Sequence, residues 1–192
     1  PARSHLIRAG QRGRDWHYDG TDDYSTAGDL SLSVKTIAFR VKPVDGIASG
    51  TAYLIDLNGT DYIKLSAQGL TGLIQTVGFS GAAITKYVDG SVGAVISDDK
   101  FYSVVVVSDT GFSASDFEIG RLSGTGNSEF EIFDVRLSDQ ELTAGQVTNY
   151  HTFGVSGDAV TWSDWWKSDD QSGVIGRNTI GGRPSLTHTN IT

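Results

Sequence analysis

The chain has no cysteine, which excludes disulfides and thiolate-bound metals and leaves the redox compartment unread. It has no methionine and only three prolines. No apolar run approaches the ~20 residues that span a bilayer. The longest candidate, Val104-Val105-Val106-Val107, is only strand length. The first residues lack the apolar core of a secretory leader. Common catalytic signatures are missing too. His5, His17, His151 and His188 share no ligand spacing, and no His-Glu-x-x-His occurs. There is no Gly-x-Ser-x-Gly elbow, P-loop or dinucleotide fingerprint. Nucleotide, phosphate and serine-hydrolase chemistry therefore find no support.

What is present is glycine, 24 in 192 residues, which suits many tight turns between short strands. That length suits one well-cored domain. The net charge of −8 is unevenly placed. Residues 1–14 carry Arg3, Arg8, Arg12 and Arg14 and no acid, a local +4. The remainder holds 11 bases and 23 acids, a local −12. A basic arm on an acidic body predicts docking on a negative surface, either a second copy of the chain or another acidic protein. The alternative is a solvated terminus. Nucleic acid is not expected as a partner, because the acidic body repels phosphate. No membrane partner is expected either.

Period-two alternation predicts strands. In Val34 to Lys42, Ile37, Phe39 and Val41 face one way, with Lys35, Arg40 and Lys42 mostly opposed. Tyr53–Leu57 and Tyr62–Leu65 flank an Asn58-Gly59 turn and predict a hairpin. A second hairpin is expected between 85–88 and 92–96. Phe101–Val107 predicts a central strand buried on both faces. Trp16–Gly20 and Phe117–Gly120 are further strand candidates. Phe130–Leu137 predicts a strand running into a short helix over 139–149, with Ser138 or Asp139 as N-cap and Glu141 in its first turn. Three parts are expected: a basic arm (1–15), a sandwich (16–150), and a C-terminal extension (151–192) that packs on the sandwich or on a neighbouring subunit. The strand spacing indicates an all-β sandwich or jelly roll.

An ordered set of short pieces carries a family resemblance. It comprises Asp19-Gly20 with Asp23-Tyr24, the strand Thr36 to Val41, Tyr87-Val88-Asp89-Gly90, the valine strand 101–107, Ile119-Gly120, and the close Phe130 to Leu142 with Val147 and Tyr150. Over roughly residues 16–150 the chain resembles laminin-G-like members of the concanavalin A-like lectin/glucanase superfamily. It departs from the pattern at Arg40, often Trp, and Glu131, often Gly. The resemblance implies a two-sheet antiparallel jelly-roll sandwich with one short C-terminal helix and extended termini. It leaves function open, because the fold hosts lectins, glucanases and adhesive modules alike. Within the family, the chain is similar to virion proteins of tailed bacteriophages, which implies tail-fibre, head-fibre or capsid-decoration roles.

Three constellations bear on chemistry. Glu129, Glu131 and Asp134 superficially resemble the paired-carboxylate strand of the glucanases. Carboxylates two apart on a strand share a face, as a retaining glycosidase requires. The glucanase order Glu-x-Asp-x-x-Glu is not met, and solvent-facing acids are the simpler account. Asp22, Asp23, Asp56, Asn58 and Asp61 form a candidate calcium set, with ordinary turn chemistry as the alternative. Trp162, Trp165 and Trp166, among Ser163, Asp164 and Lys167, suit packing on their own domain, a subunit interface or a sugar platform. No other cofactor is expected.

The expected function is non-catalytic: a structural and attachment protein of a phage-like particle, a capsid decoration or fibre module. It would be a homo-oligomer docked on other virion proteins such as a major capsid protein. Its place would be the virion surface, with the host cytoplasm during assembly. Arg3, Arg8, Arg12, Arg14 and the 162–166 aromatics would be the docking elements. A carbohydrate-binding module or lectin is the alternative, secreted and bound to a cell-surface glycan, with Trp162, Asp164, Trp165 and Trp166 as its site. A glycoside hydrolase is the third reading.

Overall fold

A computed structural model describes residues 15–44, 50–68, 71–97, 100–154, 160–167, 175–176, 178–180 and 182–189. Its elements are β1 (Trp16–Asp19), β2 (Tyr24–Gly28), β3 (Ser33–Pro43), β4 (Thr51–Asp56), β5 (Tyr62–Gln68), β6 (Thr71–Val77), β7 (Ile84–Val88), β8 (Ser91–Val92), β9 (Val95–Ser97), β10 (Tyr102–Ser113), β11 (Phe117–Ile119), β12 (Glu129–Ser138), α1 (Ala144–Phe153), β13 (Asp164–Trp166), β14 (Ile175–Gly176) and β15 (Leu186–Thr189). They form two antiparallel sheets and one short helix, a jelly-roll sandwich as expected. The first sheet runs β1-β12-β3-β10-β7-β8, with β13 also on β12; the second runs β14-β15-β2-β11-β4-β5-β6-β9. No helix among the described residues is long and apolar enough to cross a membrane.

The alternation read from β3 holds. Ile37, Phe39 and Val41 enter the core between the sheets. They meet Val104 and Val106 of β10, Phe130 and Ile132 of β12, and Leu54, Ile63, Ile74 and Phe117 of the second sheet. Each such side chain contributes roughly 1.5–3 kcal/mol on burial. β10 lies between β3 and β7, and Val104 to Val107 are all buried. Val105 and Val107 face outward into a second cluster with Ala38, Tyr87, Leu142, Val147, Tyr150 and Trp162. α1 thus roofs the outer face of the first sheet, which explains a central strand apolar on both faces.

Two boundaries differ from expectation. The second arm of the 85–96 hairpin splits: β8 pairs with β7, but β9 crosses to β6 in the other sheet. The helix begins at Ala144, not after Ser138 or Asp139. Ser138 is still in register with Thr36 in the sheet, and its hydroxyl donates to the Thr161 carbonyl. The cap is Thr143, whose Oγ1 accepts from the Gln146 amide while Gln146 Oε1 accepts from the Thr143 amide. This is a reciprocal capping box.

β12 carries a bulge. Phe133 pairs with Arg40 but Arg136 pairs with Ala38, so β12 holds one extra residue there. Asp134 absorbs it at φ +57, in the left-handed region. The bulge resets the pleat, so Phe130 and Ile132 before it and Val135 and Leu137 after it all point into the core. It also divides an edge. β1 pairs with Glu129–Ile132 and β13 with Val135–Leu137. The C-terminal segment thereby adds β13 to the first sheet and, through β15 on β2, a strand to the second.

Candidate functional site

The tryptophans of β13 and its approach close the sandwich. Trp166 is fully buried, stacks on Phe117 at 5.1 Å, and donates its Nε1–H to the Pro184 carbonyl at 3.0 Å. Trp162 is 6% exposed and meets Tyr150 of α1 edge-on. Trp165 is half-buried, and its Nε1–H donates to Asp134 Oδ1 at 2.7 Å. Asp164 is buried and held by Arg183 (Nη2 to Oδ2, 2.7 Å) and Asn178 (Nδ2 to Oδ1, 2.7 Å). Trp162, Asp164 and Trp166 thus take the own-domain packing among the three expected placements, in place of docking or sugar binding. Their faces and charges are consumed inside the domain, leaving Trp165 as the partly open member.

Around Trp165 lies a buried polar network. Arg136, fully buried, grips Asp134 through Nε to Oδ1 at 2.8 Å and Nη2 to Oδ2 at 2.9 Å. Its guanidinium stacks over Trp165 at 4.2 Å and Tyr150 at 4.8 Å. Arg40 adds a looser contact to Asp134 at 3.7 Å. Burial, reinforced by the Asp134 charge, pushes the Tyr150 phenol far above its ordinary pKa. A carboxylate so fully employed is a structural counter-ion.

The other glucanase-like carboxylates are placed differently. Glu131 binds Lys42 Nζ across the strand pair at 2.9 Å, and Glu129 is exposed opposite Asp19. Near Glu131, the half-buried Asp15 is pushed up to about 6 by burial first and by the Glu131 charge second, with Lys42 opposing. The same outer face carries Phe133 and Phe101 edge-to-face at 5.1 Å, with Arg40 over Phe133 at 5.9 Å and Lys42 over Phe101 at 6.0 Å. Sequence reasoning missed this platform, since its rings come from β12 and the lead-in to β10.

The calcium set divides in two, which corrects it as one site. Asp56 Oδ1 accepts from the Asn58 and Gly59 amides and its Oδ2 from the Ser123 amide. Asn58 Oδ1 accepts from the Thr60 and Asp61 amides, while its Nδ2 donates to Asp61 Oδ2. Asp61 Oδ1 accepts from the Phe79 amide at 2.7 Å. These acceptors build the β4–β5 turn, and burial still raises the Asp56 carboxyl above its usual range. Asp22 and Asp23 lie instead with Asp19, their ligand oxygens all within 4.8 Å of one another.

A buried serine–histidine pair also went unread. Ser25 Oγ lies 2.5 Å from His188 Nδ1 and 2.7 Å from the Tyr18 hydroxyl. Burial pushes His188 down to about 4 and drives the Tyr18 phenol far up. Ser25 is fully buried, so no substrate reaches it, and the trio joins β1, β2 and β15. Arg3, Arg8, Arg12 and Arg14 lie outside the described residues.

No family model matches the chain, and no curated protein matches it in sequence. Among solved structures the chain is similar to a native heptameric SAP-like pentraxin from Limulus polyphemus, at 14% identity and a TM-score of 0.49, covering 78% of this chain and 88% of that one.

Proposed function

We propose that the chain is a non-catalytic assembly and attachment module, a capsid-decoration or fibre component of a phage-like particle, in which basic arms lace subunits together. The supporting observation is the charge separation: +4 over residues 1–14 against −12 over the rest. Opposite charge on two parts of one chain favours arm-to-body contact between copies and steers their encounter. With Trp162 and Trp166 turned inward, the arm is the principal docking element. The virion setting rests on the family resemblance and places the protein on the particle surface. Light scattering on the full chain should give an oligomer, and replacing Arg3, Arg8, Arg12 and Arg14 together by Gln should give a monomer. An oligomer unchanged by that replacement refutes the arm.

A second reading, carbohydrate binding, is favoured by the Phe101–Phe133 platform flanked by Arg40 and the Lys42–Glu131 pair. Aromatic faces beside charged donors and acceptors suit a sugar ring and its hydroxyls. Glycan-array binding lost in Phe133→Ala would support it. An array with no signal for the wild type would remove it.

A further inference from the structure

The turn from β1 to β2 carries the chain from the first sheet to the second. Within it Gly20 takes φ +77, Asp19 Oδ1 accepts from the Thr21 amide at 2.7 Å, and Asp23 Oδ2 accepts from the Asp19 amide at 2.7 Å. The Thr21 carbonyl accepts from Asn127 Nδ2, tying the turn to the loop before β12. Gly120, at φ +89, passes so close that a Cβ there would come within 2.6 Å of the Tyr18 ring.

Asp23 is 1% exposed, yet its Oδ1 has no hydrogen-bond partner. A buried acceptor left unsatisfied loses its hydration with nothing in return. The missing partner is indicated by its surroundings. Carboxylate oxygens of Asp19, Asp22 and Asp23 lie within 4.8 Å of one another, with Asp19 and Asp22 exposed to solvent. Among the described residues no Lys or Arg forms an ion pair with Asp19 or Asp23. Burial raises the Asp23 carboxyl above its usual range, and the Asp19 and Asp22 charges add to that.

We propose that Asp19, Asp22 and Asp23 form a site for a divalent cation of the calcium type, which clamps the crossover between the two sheets. The geometry fits. Oxygens bound about 2.4 Å from one ion lie at most about 4.8 Å apart, and the three carboxylates meet that condition as they stand. An oxygen-only set of hard anionic donors selects calcium over zinc, and magnesium, which demands a near-ideal octahedron and gives up its water reluctantly, suits it less. Water completes the shell on the exposed side. The ion supplies the unsatisfied oxygen of Asp23 with a partner. The site is independent of the arm and of the Phe101–Phe133 platform.

The full chain, freed of metal with EDTA, should be titrated with calcium chloride by calorimetry and followed by thermal unfolding. One site should saturate at millimolar calcium or below, with a rise in Tm that EDTA reverses and that magnesium reproduces weakly. Asp23→Asn should weaken binding at least tenfold. Asp22→Asn, at an exposed position, serves if the Asp23 variant fails to fold. Absence of any calcium-dependent heat or Tm shift overturns the proposal. So does a shift of equal size in the variants.

Discussion

Asp134 is the residue on which the close of the sandwich turns. A left-handed φ costs a non-glycine residue of order 1 kcal/mol, and the Arg136 fork and the Trp165 indole hold it there. Asp134→Ala leaves Arg136 buried with its principal carboxylate gone. We expect a loss of about 3–5 kcal/mol in urea unfolding, the range for breaking a buried pair. Asp134→Asn keeps the left-handed preference and an acceptor for Trp165, so its loss should be smaller. His188 provides a pH test. Its folded pKa of about 4 lies below the ordinary 6.5, so the unfolded chain binds the proton first. Its contribution is present above pH 6.5 and is lost as pH falls towards 4, roughly 3 kcal/mol in all. Asp15, raised to about 6, acts in the opposite sense and gains stability over much of the same window. The wild-type profile should therefore be shallow. His188→Asn should unmask a rise in stability towards acid, measurable by unfolding at pH 7 and pH 5. A profile that stays as shallow in the variant would show that His188 is not held neutral.

At the scale of elements, α1 and Trp162 cover outward-facing Ala38, Val105 and Val107. Trp162→Ala should cost about 3–5 kcal/mol by uncovering them. Thr143→Ala should cost about 1 kcal/mol by opening the capping box. Thermal unfolding of both checks that the roof matters more than its cap. Much of this layer was legible in the sequence. The alternation of β3, the Asn58-Gly59 hairpin and the doubly apolar β10 each follow from side-chain periodicity. The helix start was misread because Ser138 and Asp139 are as cap-prone as Thr143, and pairing with Thr36 decides between them. The bulge left a trace: Phe130 and Ile132 are two apart, yet the next core residue is Val135, a step of three that strict alternation forbids. The fate of β9 left none, because a strand's choice of sheet is a long-range matter.

For the molecule as a whole, the sequence places a sandwich between a basic arm and a C-terminal segment. The C-terminal segment is part of the fold, through β13 on β12 and β15 on β2. Its tryptophans left packing, interface and sugar platform open in the sequence, because composition reports aromatic content and says nothing of which way rings face. The acids of the calcium set were similarly legible as types but not as partners. Asp56, Asn58 and Asp61 serve a turn, and Asp22 and Asp23 group with Asp19 in another. The charge imbalance needs no folding to be seen, and the proposed arm-to-body association follows from it. The direct test is sedimentation of the full chain and of residues 15–192 across a salt series. The account predicts an oligomer of the full chain at low salt that dissociates as salt rises, with the shortened chain monomeric throughout. Equal association of the two chains, or association indifferent to salt, would contradict it.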